Sequence, residues 1–138
     1  MSYRYTDSAP PAQDFIDLRE KCGWGRISVE IANKSLSASL SNVTAFSGDQ
    51  VVGFVRVVGD GALYFYIQDL VVDENHRGNG IGKTLMNNIM DQLRSTAPEG
   101  SMIALMSASG KEPFYESFGF FSRPIGSFGA GMMYKPTN

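Results

Sequence analysis

Histidine and cysteine each occur once in the 138 residues, as His76 and Cys22. That scarcity excludes a multi-histidine metal site, a cysteine-based metal cluster and an internal disulfide. It also argues against a Ser-His triad, and a lone cysteine is more often a small buried hydrophobe than a nucleophile. The chain has no Lys/Arg run, and 12 basic against 14 acidic residues leave a net charge of −2. No basic field is available to attract a nucleic-acid backbone or an anionic membrane surface. No stretch approaches the roughly 18 apolar residues of a membrane span, and the opening MSYRYTDSAPPAQDF has no apolar leader core. A soluble, cytoplasmic protein is expected.

What the chain does have suits one packed domain. Hydrophobic residues make up 43% and charged residues 19%, a balance outside the disordered range. A single domain over 1–138 is expected, able to bury a core without metal or disulfide. Residues 3–6 read as a short strand. Residues 12–22, with Phe15, Ile16, Leu18 and Cys22, read as a helix, and 27–40 as a second, weaker one. Stretches 43–47, 50–59 and 62–72 are rich in Val, Phe, Tyr and Ile. Gly48-Asp49 and Asp60-Gly61 separate them, which predicts two hairpins. A helix over 80–95 carries Ile81, Leu85, Ile89, Met90 and Leu93 on one face. Residues 102–106 read as a strand, 112–118 as a short helix opened by Pro113, and 119–123 and 130–135 as closing strands. The resulting order, β-α-α-β-β-β-α-β-α-β-β, is an α/β fold with a mixed sheet and helices on its faces.

Between the third hairpin strand and the long helix lies Arg77-Gly78-Asn79-Gly80-Ile81-Gly82-Lys83-Thr84. Alternate glycines opening a helix let backbone N–H groups converge on an anion, aided by the helix dipole and by Lys83. A phosphate or pyrophosphate is the natural ligand, against the plainer reading of a glycine-rich cap with none. A P-loop would need glycine at position 77, which is Arg. A dinucleotide-binding G-x-G-x-x-G would need glycine at 83 or 85, which are Lys and Leu. The pattern that fits is Q/R-x-x-G-x-G/A, met by Arg77, Gly80 and Gly82.

The stretch from Asp69 to Gly82 resembles the signature of the GCN5-related N-acetyltransferases (GNAT). Phe114-Tyr115-Glu116-Ser117-Phe118-Gly119-Phe120 resembles that family's second signature, in the right order along the chain. The resemblance implies the GNAT acyltransferase fold with splayed central strands, and acetyl-coenzyme A as the acyl-donor substrate with no metal. It implies that N–H groups of Arg77, Gly78, Asn79, Gly80, Ile81, Gly82 and Lys83 cradle the pyrophosphate. It implies too that Leu70, Val71 and Val72 hydrogen-bond the pantetheine arm, one N–H near Leu70 or Val71 facing the thioester oxygen.

Tyr115 matches the family's general acid, which protonates the leaving thiolate; the alternative is a tyrosine packed with Phe114, Phe118 and Phe120. Some members carry Glu or His on the central strand where this chain has Tyr66 and Gln68, which can instead order water. Asp69 is the nearer carboxylate, either a base or substrate contact or a structural residue. Strict alternation places it on an apolar face with Leu63, Phe65, Ile67 and Val71, so a bulge or a hydrogen-bonded partner is required. Where the family often has Asn, Ser109 can contact the coenzyme. Trp24, between the first two helices, can wall the acceptor pocket, with Glu30 reading an ammonium. Arg56 either reaches into the cleft or is a solvated strand residue. The implied reaction is acetyl transfer to a small primary amine in a ternary complex. The alternatives are a non-catalytic acyl-coenzyme A sensor and transfer to a protein amino group. No nucleic-acid or membrane partner is expected, and the aromatic, glycine-rich C-terminus could pair two copies as a homodimer.

Overall fold

The computed structural model describes residues 2–137. In chain order its elements are β1 (Arg4–Thr6), α1 (Ala12–Lys21), α2 (Val29–Ser37), β2 (Ser41–Ser47), β3 (Gln50–Gly59), β4 (Tyr64–Val72), a 3-10 turn (Glu74–His76), α3 (Ile81–Thr96), β5 (Met102–Ala104) and α4 (Glu112–Glu116). The chain clusters into two compact units, Met1–Leu105 and Met106–Asn138.

The first unit holds one five-stranded sheet in the order β1-β2-β3-β4-β5. The first four strands pair antiparallel, and β4 pairs parallel with β5 across the α3 crossover. Both hairpins form where the turn residues place them. At the β3–β4 turn, the Asp60 carboxylate accepts from the backbone N–H groups of Ala62, Leu63 and Tyr64 at 2.8, 2.9 and 3.0 Å. Led by the Tyr64 bond, these donors hold the carboxyl below its ordinary range.

Both faces of the sheet are covered. Phe54 enters a cluster with Phe15, Ile16 and Leu18 of α1, Ala32 and Leu36 of α2, Val51 and Val71. Phe15 and Phe54 meet edge to face, with ring centroids 5.7 Å apart. On α3 the buried residues are Ile81, Leu85, Met86, Ile89, Met90 and Leu93, and this helix packs on β2, β3 and β4. Each such side chain contributes about 1.5–3 kcal/mol on burial. β3 is therefore buried along nearly its whole length, as expected of a strand covered on two sides.

Helix α2 begins later than its apolar spacing suggests because Ser28 caps it. The Ser28 hydroxyl accepts from the Ile31 N–H at 3.1 Å, which fixes the start at Val29. β5 is shorter than expected, ending at Ala104.

The second unit departs from expectation. Among its described residues the one helix is α4, and neither 119–123 nor 130–135 is a strand. Ile125 and Phe128 instead exchange N–H···O bonds at 3.0 and 2.9 Å. Those backbone groups are satisfied within a local turn, so they make no ladder. Gly129 and Gly131 further disfavour extended structure in the following segment.

Candidate active site

Three features of the first unit converge along β4 and the loop that follows it. The first is the start of α3. Gly78 and Gly80 have φ of 82° and 78°, a left-handed conformation that side chains resist. Gly80 is the N-cap and supplies no capping side chain, and the first turn of α3 carries no acid. The N–H groups of that turn have no intrahelical acceptor, and the helix dipole and Lys83 add positive potential. This backbone suits a pyrophosphate.

The loop is braced from several sides. The Asp73 N–H donates to Val52 O at 2.8 Å, and the Asp73 carboxylate accepts from the Asn75 N–H at 2.9 Å and from Lys21 Nζ at 3.1 Å. Burial pushes the Asp73 carboxyl up, but the Asn75 N–H and the Lys21 ammonium outweigh it and hold it below the ordinary range. Asn79 Nδ2 donates to His76 O at 2.9 Å, and Arg77 Nε to Val72 O at 3.3 Å. Tyr3 Oη lies 3.1 Å from His76 Nδ1, tying the chain's first segment to the same loop.

The second feature is a bulge. Phe54 pairs with Val71 and Arg56 with Gln68, so Val55 alone faces both Asp69 and Leu70. Among the described residues, Asp69 is the one non-glycine with positive φ, at 61°. Its carboxylate is buried and accepts from Arg56 Nε at 2.7 Å and from Arg19 Nη1 at 3.4 Å. The bulge and the partner that Asp69 requires on an apolar face are thus both present. Arg56 is not a solvated strand residue; it is 7% exposed. Its Nη1 donates to Ser35 O at 2.8 Å and to Ser39 Oγ at 3.2 Å, and its Nη2 to Ser35 Oγ at 2.8 Å.

The third feature is the divergence of β4 from β5. Their pairing runs Tyr64↔Met102, Phe65↔Ile103 and Tyr66↔Ala104. β4 continues to Val72 without a β5 partner, as the expected splay requires. Gln68, Leu70 and Val72 alternate with the buried Ile67, Asp69 and Val71 and are half-exposed. Extended backbone with an unladdered edge can take an amide-bearing arm as an added strand, so this edge fits pantetheine as the glycine turn fits pyrophosphate.

The remaining expected site residues belong to other elements. Trp24 is 42% exposed, and the Arg19 guanidinium sits 5.9 Å from its ring centroid. Glu30 is exposed in the first turn of α2. In the second unit Ser109 is exposed. Tyr115 is half-buried on α4 and meets Phe114 edge to face at 5.1 Å. Burial raises its phenol above the ordinary 10.0.

Two contributors escape a reading of the sequence. Lys21 and Asp73 meet across 52 positions, which no local pattern announces. Gly53 is the other: a Cβ there would lie 3.0 Å from Ile81 Cγ2 and 3.1 Å from Leu85 Cδ1. A glycine inside a valine-rich strand is the signal that could have found it.

Among the described residues no group of three or more His, Cys, Asp or Glu is placed to hold a metal, and no helix is long and apolar enough to cross a membrane.

Known proteins resemble this chain along most of its length. The chain is 28% identical over 132 residues to the uncharacterized N-acetyltransferase ycf52-like of Prochlorococcus marinus, covering 91% of this chain and 72% of that one. It is 27% identical over 136 residues to histone acetyltransferase TAP1 of Glycine max, covering 91% of this chain and 57% of the relative. The crystal structure of SA2161 from meticillin-resistant Staphylococcus aureus superposes with a TM-score of 0.88 at 29% identity, over 98% of this chain and 100% of that one. The acetyltransferase (GNAT) domain profile matches residues 18–125, which include both the α3 loop and Tyr115. The chain belongs to the GNAT family of acetyltransferases.

Proposed function

We propose that this acetyltransferase moves acetyl from acetyl-coenzyme A to a primary amine of a small molecule, by direct attack in a ternary complex. The observation that carries the reading is the continuity of β4 with the α3 loop. An unladdered strand edge leads, through the short 3-10 turn at Glu74–His76, into a left-handed glycine turn at a helix start, so one chain segment can hold both the arm and the pyrophosphate of one coenzyme.

In this reading the N–H of Leu70 or Val71 polarises the thioester carbonyl. The amine forms a C–N bond as the C–S bond breaks, and the Tyr115 phenol gives its proton to the departing thiolate. Tyr66 and Gln68, both half-buried on β4, order the water that carries away the ammonium proton. Ser109 contacts the coenzyme, while Trp24 and Glu30 border and read the acceptor. Neither signature contributes a nucleophile, which supports direct transfer. A cytoplasmic setting without nucleic acid or membrane, and pairing of two copies through residues 128–134, complete the reading. The last rests on the exposure of Phe128, Met132, Met133 and Tyr134.

One observation favours a second reading, transfer to a protein amino group: the relative from Glycine max is named a histone acetyltransferase. Thiol release from acetyl-coenzyme A decides between them when small amines and lysine-bearing histone peptides are offered side by side. Small amines giving the higher kcat/KM, with intersecting initial-rate lines, are expected. A peptide preference overturns the acceptor class, and ping-pong lines or an acetylated enzyme overturn direct transfer.

A further inference from the structure

We propose that Arg56 and Asp69 are positioning residues: their buried ion pair fixes the β4 bulge and thereby aims the N–H that polarises the thioester. The proposal rests on the acetyl-transfer reading above and assigns both side chains a role other than proton transfer or acceptor contact.

Asp69 immediately precedes Leu70 in the bulge, so its backbone angles decide where the next N–H groups point. It holds φ of 61° inside a sheet covered on both faces. A non-glycine residue remains in that region only where its surroundings over-determine it. Aspartate tolerates the left-handed region better than most residues, and here its side chain supplies the over-determination. Both carboxylate oxygens accept from arginine N–H groups, Oδ2 from Arg56 and Oδ1 from Arg19. Neither oxygen is left for a substrate ammonium alone.

Arg56 extends the grip beyond the sheet. While Nε holds Asp69, Nη1 donates to the backbone carbonyl of Ser35 and to the Ser39 hydroxyl, and Nη2 donates to the Ser35 hydroxyl. One guanidinium therefore joins the bulge of β4 to the C-terminal end of α2, and Arg19 brings in α1. The two helices whose connection carries Trp24 and the strand that carries the polarising N–H become one hydrogen-bonded body. A lysine at 56 keeps the charge but cannot reproduce this fork.

Glycine at 69 separates the proposal from a plain backbone requirement, because it accepts the same φ without anchoring it. Full-length wild type, Asp69→Gly, Asp69→Asn and Arg56→Lys are compared for calorimetric binding of carbonyl-labelled acetyl-coenzyme A, for the infrared carbonyl band of the bound thioester, and for kcat and KM. The wild-type band moves to lower frequency on binding. Asp69→Gly binds the coenzyme within about threefold of wild type but loses the band shift, and its kcat falls about 100-fold, as expected for a misaimed donor. Arg56→Lys falls between the two and serves if the position-69 variants do not fold. Asp69→Gly with a wild-type band shift and kcat overturns the proposal, and so does Arg56→Lys with both unchanged. Asp69→Asn that is inactive with a normal band shift also overturns it, since Asp69 then acts on the amine. Wild type that binds no acetyl-coenzyme A refutes the acetyl-transfer reading itself, an outcome read before any variant is made.

Discussion

Gly53→Ala tests whether the sheet sets the position of the first turn of α3, the turn proposed to hold the pyrophosphate. Gly53 lies mid-strand on β3, paired with Val72 and facing the first turn of α3. The added methyl carbon would sit 3.0 Å from Ile81 Cγ2, 3.1 Å from Leu85 Cδ1 and 3.3 Å from the Val71 carbonyl oxygen. Carbon–carbon contacts prefer about 3.5–4.0 Å, so the neighbours must yield by roughly 0.5 Å. Leu85 Cδ1 can swing aside, but Ile81 Cγ2 is attached directly to Cβ and a branched residue in a helix has essentially one rotamer. The helix start must move instead. Overpacking of this kind costs about 1–3 kcal/mol, and losing a mid-strand glycine returns roughly 0.5–1 kcal/mol. The net loss is about 1 kcal/mol, or about 3–5 °C in Tm for a chain of this size. Because Ile81, Gly82 and Lys83 form the displaced turn, affinity for coenzyme A falls roughly five- to tenfold, equivalent to about 1–1.4 kcal/mol. Scanning calorimetry and isothermal titration read the two quantities, with Gly129→Ala, where a Cβ meets nothing within 4 Å, as the reference. A Gly53→Ala protein with wild-type Tm and affinity would show slack between β3 and α3 and refute the reasoning.

Tyr115→Phe is expected to lower kcat about 100-fold while leaving the Kd for acetyl-coenzyme A nearly unchanged, since a general acid acts only in the transition state; full turnover at neutral pH removes the assignment. The raised phenol also predicts that the loss of wild-type kcat tied to this group has its midpoint above the ordinary phenol value of 10.0, which a pH–rate profile with the Phe variant as baseline checks. Lys21→Met weakens the brace on Asp73 and lowers stability at pH 7 by about 0.5–1 kcal/mol, given that the ammonium is half-exposed. Asp73 has a depressed folded pKa, so its contribution is present above the unfolded value of about 3.9 and is lost as pH falls through the folded one. The Tm difference between wild type and Lys21→Met therefore closes on acidification through that range, and a difference that persists there excludes the ion pair as its source.

The parts of the fold legible in the sequence were those set by local chemistry. The spacing of Ile81, Leu85, Ile89, Met90 and Leu93 marked a helical face, and all five are buried in α3. Gly48-Asp49 and Asp60-Gly61 marked both hairpins. Alternation along β4 showed that Asp69 needed a partner or a bulge, but not that the partner was Arg56, because the pairing depends on a register that the bulge itself shifts. The absence of strands at 119–123 and 130–135 has a related reason. Apolar composition reports a preference for burial, whereas a strand exists only where another backbone completes its ladder. Gly53 and the Lys21–Asp73 pair follow from how α3 and α1 settle on the sheet, which no window of sequence contains.

The Arg56–Asp69 pair also constrains how this protein can change over generations. Losing Arg56 first strands a carboxylate in the core, and losing Asp69 first strands a guanidinium. Either intermediate costs about 3–5 kcal/mol out of a total stability of roughly 5–15 kcal/mol. Positions 56 and 69 are therefore expected to be inherited together or replaced together, while the exposed surface around them drifts freely.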